Sequence, residues 1–300
     1  MKKILVTGGT VFVSRYVAEY FVGQGEDVYV LNRNNRPQCK GVTLIEADRN
    51  ALGDVLKKYH FDVVLDVTSY TGKDVENLLD ALGSFDDYVL ISSSAVYPEY
   101  ETQPFLEETP LAENKYWGMY GINKIEAEQL LTECVPNAYI IRPPYLYGPM
   151  NNVYREGFVF DCAMNNRKFY LPKDGQMKLQ FFHIKDLCRV IDNIIEKKPE
   201  NHILNVGNKD AVSICDWVKA CYSVAGKEVS FVNVYEDINP RSYFCFAEYE
   251  YYLDTTKQEE VLDEIIPLEE GLREAFEWYE KNQDKVNKKP YFEYIEENLQ

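Results

Sequence analysis

Short unbroken apolar runs alternate along this chain with stretches that have helical spacing. Lys2-Lys3-Ile4-Leu5-Val6 is the first run, and Thr7-Gly8-Gly9-Thr10 breaks it. Apolar residues at 13, 17, 18 and 21 then follow the helical period over Val11 to Phe21. A buried strand, a glycine turn and a helix in that order aim free amides and a positive dipole end out of the carboxyl end of the strand. That is a natural phosphate site, although an ordinary strand-to-helix turn begins the same way.

The alternation continues. Strands are predicted at Val28–Leu31, Val42–Ile45, Phe61–Val67, Asp87–Ile91 and Ala138–Arg142, and helices at Ala51–Tyr59, Lys73–Leu82 and Ile125–Cys134. Pro98 to Asn114 reads as loop. This is the pattern of an α/β protein with a Rossmann-type, doubly wound parallel sheet. Past residue 150 the pattern loosens. Helices are predicted at Phe158–Asn166, Ile184–Glu196, Leu268–Asn282 and Tyr291–Asn298, and short strands at Lys168–Leu171, Leu179–Phe182 and Ile203–Val206. A further helix over Ser213–Ala225 has Ser213 as N-cap and Asp216 three residues on. The expected division is a dinucleotide-binding domain over 1–150, with segments near 180–206 returning to it. A smaller substrate-binding lobe and the C-terminal helices occupy 151–300.

Composition narrows the class. With 300 residues and 46% hydrophobic content there is material for a large core. No apolar run is long enough for a membrane span, and Lys2-Lys3 is not followed by a signal-peptide pattern, so a soluble cytoplasmic protein is expected. A net charge of −17 repels a phosphate backbone and argues against nucleic-acid binding. Seven cysteines without CxxC spacing read as reduced thiols, and three scattered histidines do not form a zinc motif.

The chemistry sits at predicted strand ends. After the second strand come Asn32, Arg33, Asn34 and Arg36, where a Rossmann protein meets the adenosine ribose. An acid there would hold a free 2′-hydroxyl, whereas arginines suit a 2′-phosphate; the balance favours NADP, with NAD the alternative. Thr68-Ser69-Tyr70 ends the fourth strand, in the crevice where ligand is expected, and Ser92-Ser93-Ser94 ends the fifth. Tyr120 and Lys124, four apart at the start of a helix, share one face. An ammonium near a phenol favours the phenolate, which can exchange a proton with a substrate hydroxyl while hydride moves to or from a nicotinamide. Ser93 or Ser94 is placed to hold the same substrate oxygen.

Taken together, these motifs resemble the extended short-chain dehydrogenase/reductase superfamily, in its NAD-dependent epimerase/dehydratase type. The carriers are Thr7-Gly8-Gly9-Thr10-Val11-Phe12-Val13-Ser14, Ser92-Ser93-Ser94-Ala95-Val96-Tyr97, Tyr120-Gly121-Ile122-Asn123-Lys124, Arg142-Pro143-Pro144-Tyr145-Leu146-Tyr147-Gly148-Pro149 and Phe182-His183-Ile184-Lys185-Asp186-Leu187. The resemblance implies Tyr120 as general acid/base, with Lys124 tuning it and holding the nicotinamide ribose, and Ser93 on the substrate oxygen. It implies Asp48 at the adenine, Thr68 and Ser69 along the pyrophosphate path, and Pro143 and Tyr145 near the nicotinamide. Arg49, Tyr70 and Ser92 join the cofactor-binding set, as does the run from Thr7 to Val13. The substrate pocket falls in Asn151–Lys178 and Pro240–Tyr243, with Arg241 on a substrate phosphate or in a surface ion pair. His183 reads as structural, capping a helix or pairing with Asp186. The implied substrate is a nucleotide-sugar, and the implied assembly a homodimer.

Two positions depart from the glycine signature, Val11 and Ser14. They are similar to a branch resembling chloroplast stem-loop RNA-binding proteins, so a non-catalytic dinucleotide- or RNA-binding protein stands as the alternative.

Overall fold

A computed structural model describes residues 1–299; Gln300, the last residue of the expected second lobe, lies outside the described residues. The elements run β1 (Lys3–Thr7), α1 (Phe12–Gly23), β2 (Asp27–Asn32), β3 (Thr43–Glu46), β4 (His60–Asp66), α2 (Gly72–Ala81), β5 (Ser84–Ile91), α3 (Met119–Cys134), β6 (Tyr139–Arg142), β7 (Tyr145–Tyr147) and α4 (Glu156–Met164). They continue with β8 (Phe169–Pro172), β9 (Lys178–Leu179), β10 (Phe181–His183), α5 (Ile184–Lys197), β11 (Ile203–Asn205), β12 (Val212–Ser213), α6 (Ile214–Val224), β13 (Phe231–Val234), α7 (Leu268–Asn282) and α8 (Tyr291–Asn298).

The chain forms two units. The first comprises Met1–Pro144, Ile184–Gly207 and Leu253–Ile265. Its sheet has seven strands in the order β11-β6-β5-β4-β1-β2-β3, all paired in parallel. The order reverses between β1 and β4, so the chain leaves those two strands in opposite directions and opens a crevice at their carboxyl ends. Central strands are covered on both faces, and Ile4, Leu5, Val6, Val63, Val64 and Leu65 are wholly buried. On one face Leu5, Val64, Tyr88, Leu90 and Ile140 pack with Val75 and Leu78 of α2 and Ala127 and Leu131 of α3. The helices α1 and α5 pack together, on the other face as right-handed crossovers from a reversing order require.

Local chemistry sets several ends. Thr71 and Asp74 close a capping box at the start of α2. Ser213 caps α6 through the Asp216 amide, 3.1 Å away. The predicted helix over Ala51–Tyr59 is instead a chain of turns, with Ala51, Val55, Lys57 and Tyr59 each donating to the carbonyl three residues back. Gly53, at φ 52°, breaks the helical progression while Leu52 and Leu56 still bury.

The second unit comprises Tyr145–His183, Asn208–Tyr252 and Ile266–Gln300. It holds three two-stranded pairs: β7 with β10 and β8 with β13 in parallel, and β9 with β12 antiparallel. Its core is aromatic, with Phe181 stacked on Trp217 at 5.2 Å and Phe246 against both. His183 is fully buried and lies 3.7 Å from Glu274. Asp186, in the first unit, takes Arg189 at 2.8 Å. No helix among the described residues is long and apolar enough to cross a membrane.

Candidate active site

The turn after β1 is built to exclude side chains. Gly8 and Gly9 have φ of 94° and 88°, a region open to glycine at little cost. A Cβ on Gly8 would stand 2.8 Å from Ser14 Oγ and 2.9 Å from Thr68 Cγ2, and one on Gly9 2.5 Å from Val30 Cγ1. Ser14 is buried and donates to the Val11 carbonyl at 3.0 Å. Val11 itself has extended backbone (φ −137°, ψ 138°), so its conformation does not call for glycine; Phe12 takes the unusual φ of 31°. No side chain caps the start of α1, and no acid lies in its first turn. The first amides are thus left for an anion, with Thr10, Val11 and Val13 half-buried beside them.

Behind the turn, Thr7 and Asp66 lock β1 to β4. The Thr7 hydroxyl donates to Asp66 Oδ1 at 2.8 Å and accepts from the amides of Val67 and Thr68. The Asp66 carboxylate also accepts from the Tyr88 hydroxyl (2.7 Å) and the Ser69 amide (3.1 Å). Thr7 therefore serves the frame of the crevice, and Asp66, hidden in an apolar run, is its hub. Arg49 spans two loops. It donates to the Thr68 carbonyl and to Ser69 Oγ (2.9 Å) and pairs with Asp74 at 3.2 Å. Burial raises the Asp74 carboxyl, but the Tyr70 and Thr71 amides and Arg49 outweigh it and leave the net shift downward.

At the end of β2, Asn32 donates to the Gly8 carbonyl at 2.6 Å and to Gln38 at 3.0 Å. The position where an acid would face a ribose thus supports the glycine turn. Arg33 and Arg36 are exposed, and among the described residues neither has an ion-pair partner. Asp48 is exposed and accepts from the Asn50 amide.

Lys124 anchors at the ends of β4 and β5, Ser93 follows β5, and Tyr120 lies one helical turn before Lys124 on α3. Ser93 accepts from the Ala95 amide at 3.2 Å at the start of a single 3₁₀ turn, Ser94–Val96. Gly121 lets α3 press onto that turn, since a Cβ there would meet the Ala95 carbonyl at 2.4 Å. The Ser94 amide holds the Pro143 carbonyl at 3.0 Å. Tyr120 is 40% exposed, whereas Lys124, one helical turn on, is 2% exposed. The Lys124 ammonium donates to the Ser69 and Ile91 carbonyls, both at 2.8 Å. It also faces the Tyr70 ring at 5.0 Å, and that ring lies 6.3 Å from Tyr120. Burial draws the lysine down to about 8, with Asp66 and Glu128 opposing. Ser92 points away from this group and donates to Glu128, which takes Arg142 in a two-pronged pair. Arg142 also holds the Tyr97 hydroxyl at 2.8 Å.

Tyr145 and Arg241 belong to the second unit. Tyr145 is buried under the Arg155 guanidinium, 4.7 Å from its ring. Burial pushes its phenol up, and Arg155 and Arg241 oppose this. Arg241 is exposed and donates to the Cys245 carbonyl. Arg155 was not singled out from the sequence; it sits in an irregular loop with no motif around it.

The NAD dependent epimerase/dehydratase family matches residues 4–207. The chain belongs to this family. It is 28% identical to the chloroplast stem-loop binding protein of 41 kDa b of Arabidopsis thaliana, over 92% of this chain and 78% of that one. It is 23% identical to dTDP-4-dehydro-6-deoxy-D-allose reductase of Streptomyces bikiniensis, over 93% and 96%. The fold matches UDP-glucuronic acid 4-epimerase from Bacillus cereus, solved with UDP-glucuronic acid and NAD (TM-score 0.73, 18% identity, 93% and 99% covered). It also matches dTDP-glucose 4,6-dehydratase from Bacillus anthracis, solved with NAD (TM-score 0.75, 19% identity, 95% and 99% covered). The dinucleotide that the family name implies fits this chain: the Gly8–Gly9 cradle admits no Cβ, and the first turn of α1 is uncapped.

Proposed function

We propose that the protein is a nicotinamide-dinucleotide-dependent epimerase, dehydratase or reductase of a nucleotide-linked sugar. The observation that carries this reading is the anchoring of Lys124 to the ends of β4 and β5, with Tyr120 one turn away on the same helix, Ser93 just after β5 and the glycine cradle packed against Thr68 after β4. When bound, the nicotinamide supplies a hydride acceptor and donor. The cradle amides and the start of α1 hold the pyrophosphate. Ser93 Oγ holds the substrate hydroxyl oxygen, and the half-exposed Tyr120 takes or returns its proton. Lys124 fixes the positive charge beside that phenol by anchoring to two carbonyls. Exposed Arg33 and Arg36, with Asn32 turned inward, favour the 2′-phosphate of NADP. Arg155 and Arg241 in the second unit supply positive charge for a substrate phosphate.

Mass spectrometry of small molecules that co-purify, with thermal shifts by NAD and NADP, tests the cofactor. Tyr120→Phe should keep dinucleotide binding and lose turnover of the nucleotide-sugar so identified. If neither dinucleotide binds, the reading fails. A second reading, RNA binding, rests on the 28% identical stem-loop binding relative. It requires salt-dependent RNA affinity that Tyr120→Phe leaves unchanged, against a net charge of −17.

A further inference from the structure

At the amino ends of β4 and β5, on the far side of the sheet from the crevice, three ligating side chains meet. His60 and Asp62 are two residues apart on β4 and so lie toward the same side of the strand. The register pairs His60 with Ser84, Phe61 with Phe85 and Val63 with Asp87, which sets Asp86 of β5 beside Asp62. A nitrogen or oxygen from each of His60, Asp62 and Asp86 lies within 4.8 Å of the others. We infer that these three residues form a binding site for a divalent transition cation, with water completing its coordination.

The supporting contacts are those of a metal site. His60 Nδ1 meets Ser84 Oγ at 2.9 Å, which fixes the ring and leaves Nε2 directed at Asp86 Oδ1, 3.6 Å away. Asp62 Oδ2 accepts the Lys3 amide at 2.5 Å, which orients its carboxylate. Such outer contacts set ligand direction in metal centres. Electrostatics favours a cation as well. Two carboxylates side by side on neighbouring strands repel, and among the described residues no lysine or arginine pairs with either. Small side-chain rotations bring three atoms within 4.8 Å onto one ion at bond lengths of about 2.0–2.2 Å. One imidazole with two carboxylates selects zinc, cobalt or manganese over calcium, which takes oxygen alone. The ion would join β4 to β5 directly, and β1 through the Lys3 amide. Its place is independent of the crevice chemistry.

The test uses the full-length chain, stripped with chelator, carrying Cys134→Ser to remove the exposed thiol. Cobalt(II) and zinc(II) are each titrated by calorimetry, with cobalt absorption followed in parallel. One saturable site is expected, together with a rise in melting temperature. His60→Ala and Asp86→Asn change exposed side chains (54% and 60% accessible) and should fold with binding abolished. Ser84→Ala should weaken binding about tenfold by loosening the imidazole. No saturable binding, or binding that both ligand variants leave unchanged, overturns the assignment.

Discussion

Replacing Gly9 by alanine tests how the glycine cradle after β1 is built. At φ 88° the new Cβ would lie 2.5 Å from Val30 Cγ1 and 2.8 Å from Val30 Cβ. Two costs add. The left-handed backbone costs a non-glycine residue about 1–2 kcal/mol, and forcing a methyl into a packed site costs about 1–3 kcal/mol. Gly9→Ala should therefore destabilise the fold by about 2–5 kcal/mol. Only the second cost depends on Val30. In Gly9→Ala/Val30→Ala the 2.5 Å contact with Cγ1 is gone, while the 2.8 Å contact with Cβ and the backbone cost remain. The double variant should then be more stable than the sum of its singles by the Cγ share of the overpacking cost, about 1 kcal/mol. Urea unfolding of the four proteins of the cycle, followed by circular dichroism, measures this. A Gly9→Ala midpoint equal to the parent's, or strict additivity, would refute the argument.

Other expectations follow from the same unit. Lys124 sheds its proton near pH 8 when folded, but near pH 10.4 when unfolded. Across that window the unfolded chain holds the extra proton, so this group's contribution to stability rises with pH, by at most about 1.4 kcal/mol per unit. Lys124→Met should remove that increment, which denaturation at several pH values detects, and any turnover that needs the ammonium should fall above about pH 8. Glu128→Gln breaks the buried pair with Arg142 and leaves Ser92 with a weaker acceptor; a loss of about 3–5 kcal/mol is expected by urea unfolding. Arg33→Ser with Arg36→Ser should weaken NADP binding about tenfold, through lost charge-assisted hydrogen bonds, while sparing NAD; calorimetry with both dinucleotides decides it.

The fold was legible where burial is complete. The carboxyl halves of β1, β4 and β5 are buried and read as the apolar runs Ile4–Val6, Val63–Leu65 and Tyr88–Ile91, and the helices α7 and α8 are found at the residues their spacing predicts. The Ala51–Tyr59 segment misled because its buried Leu52 and Leu56 mimic a helix that Gly53 interrupts. The strand β13 passed unseen because it is half-exposed and borrows its order from β8. At the candidate site, Ser93, Tyr120 and Lys124 were readable as an ordered set of motifs following particular strands. Asp66, Arg155 and the Glu128–Arg142 pair were not, since each matters only through partners that folding supplies. The His60 cluster is hidden in the same way: two of its members are 24 residues apart in sequence, and strand register alone brings them side by side.

The interleaved path of the chain has a consequence for biosynthesis. On the ribosome, β1 through β6 emerge first, and the β6 edge stays bare until β11 arrives, some 60 residues later. The last segment of that unit, Leu253–Ile265, follows later still. It brings Gln258, which accepts the Gly207 amide at 2.8 Å, and the Val261 carbonyl, which accepts from Asn193 at 2.8 Å. The nascent chain must therefore carry an unfinished nucleotide unit while the other is being translated. A dinucleotide bound early at the β1 turn would steady that intermediate, coupling cofactor supply to the yield of folded protein.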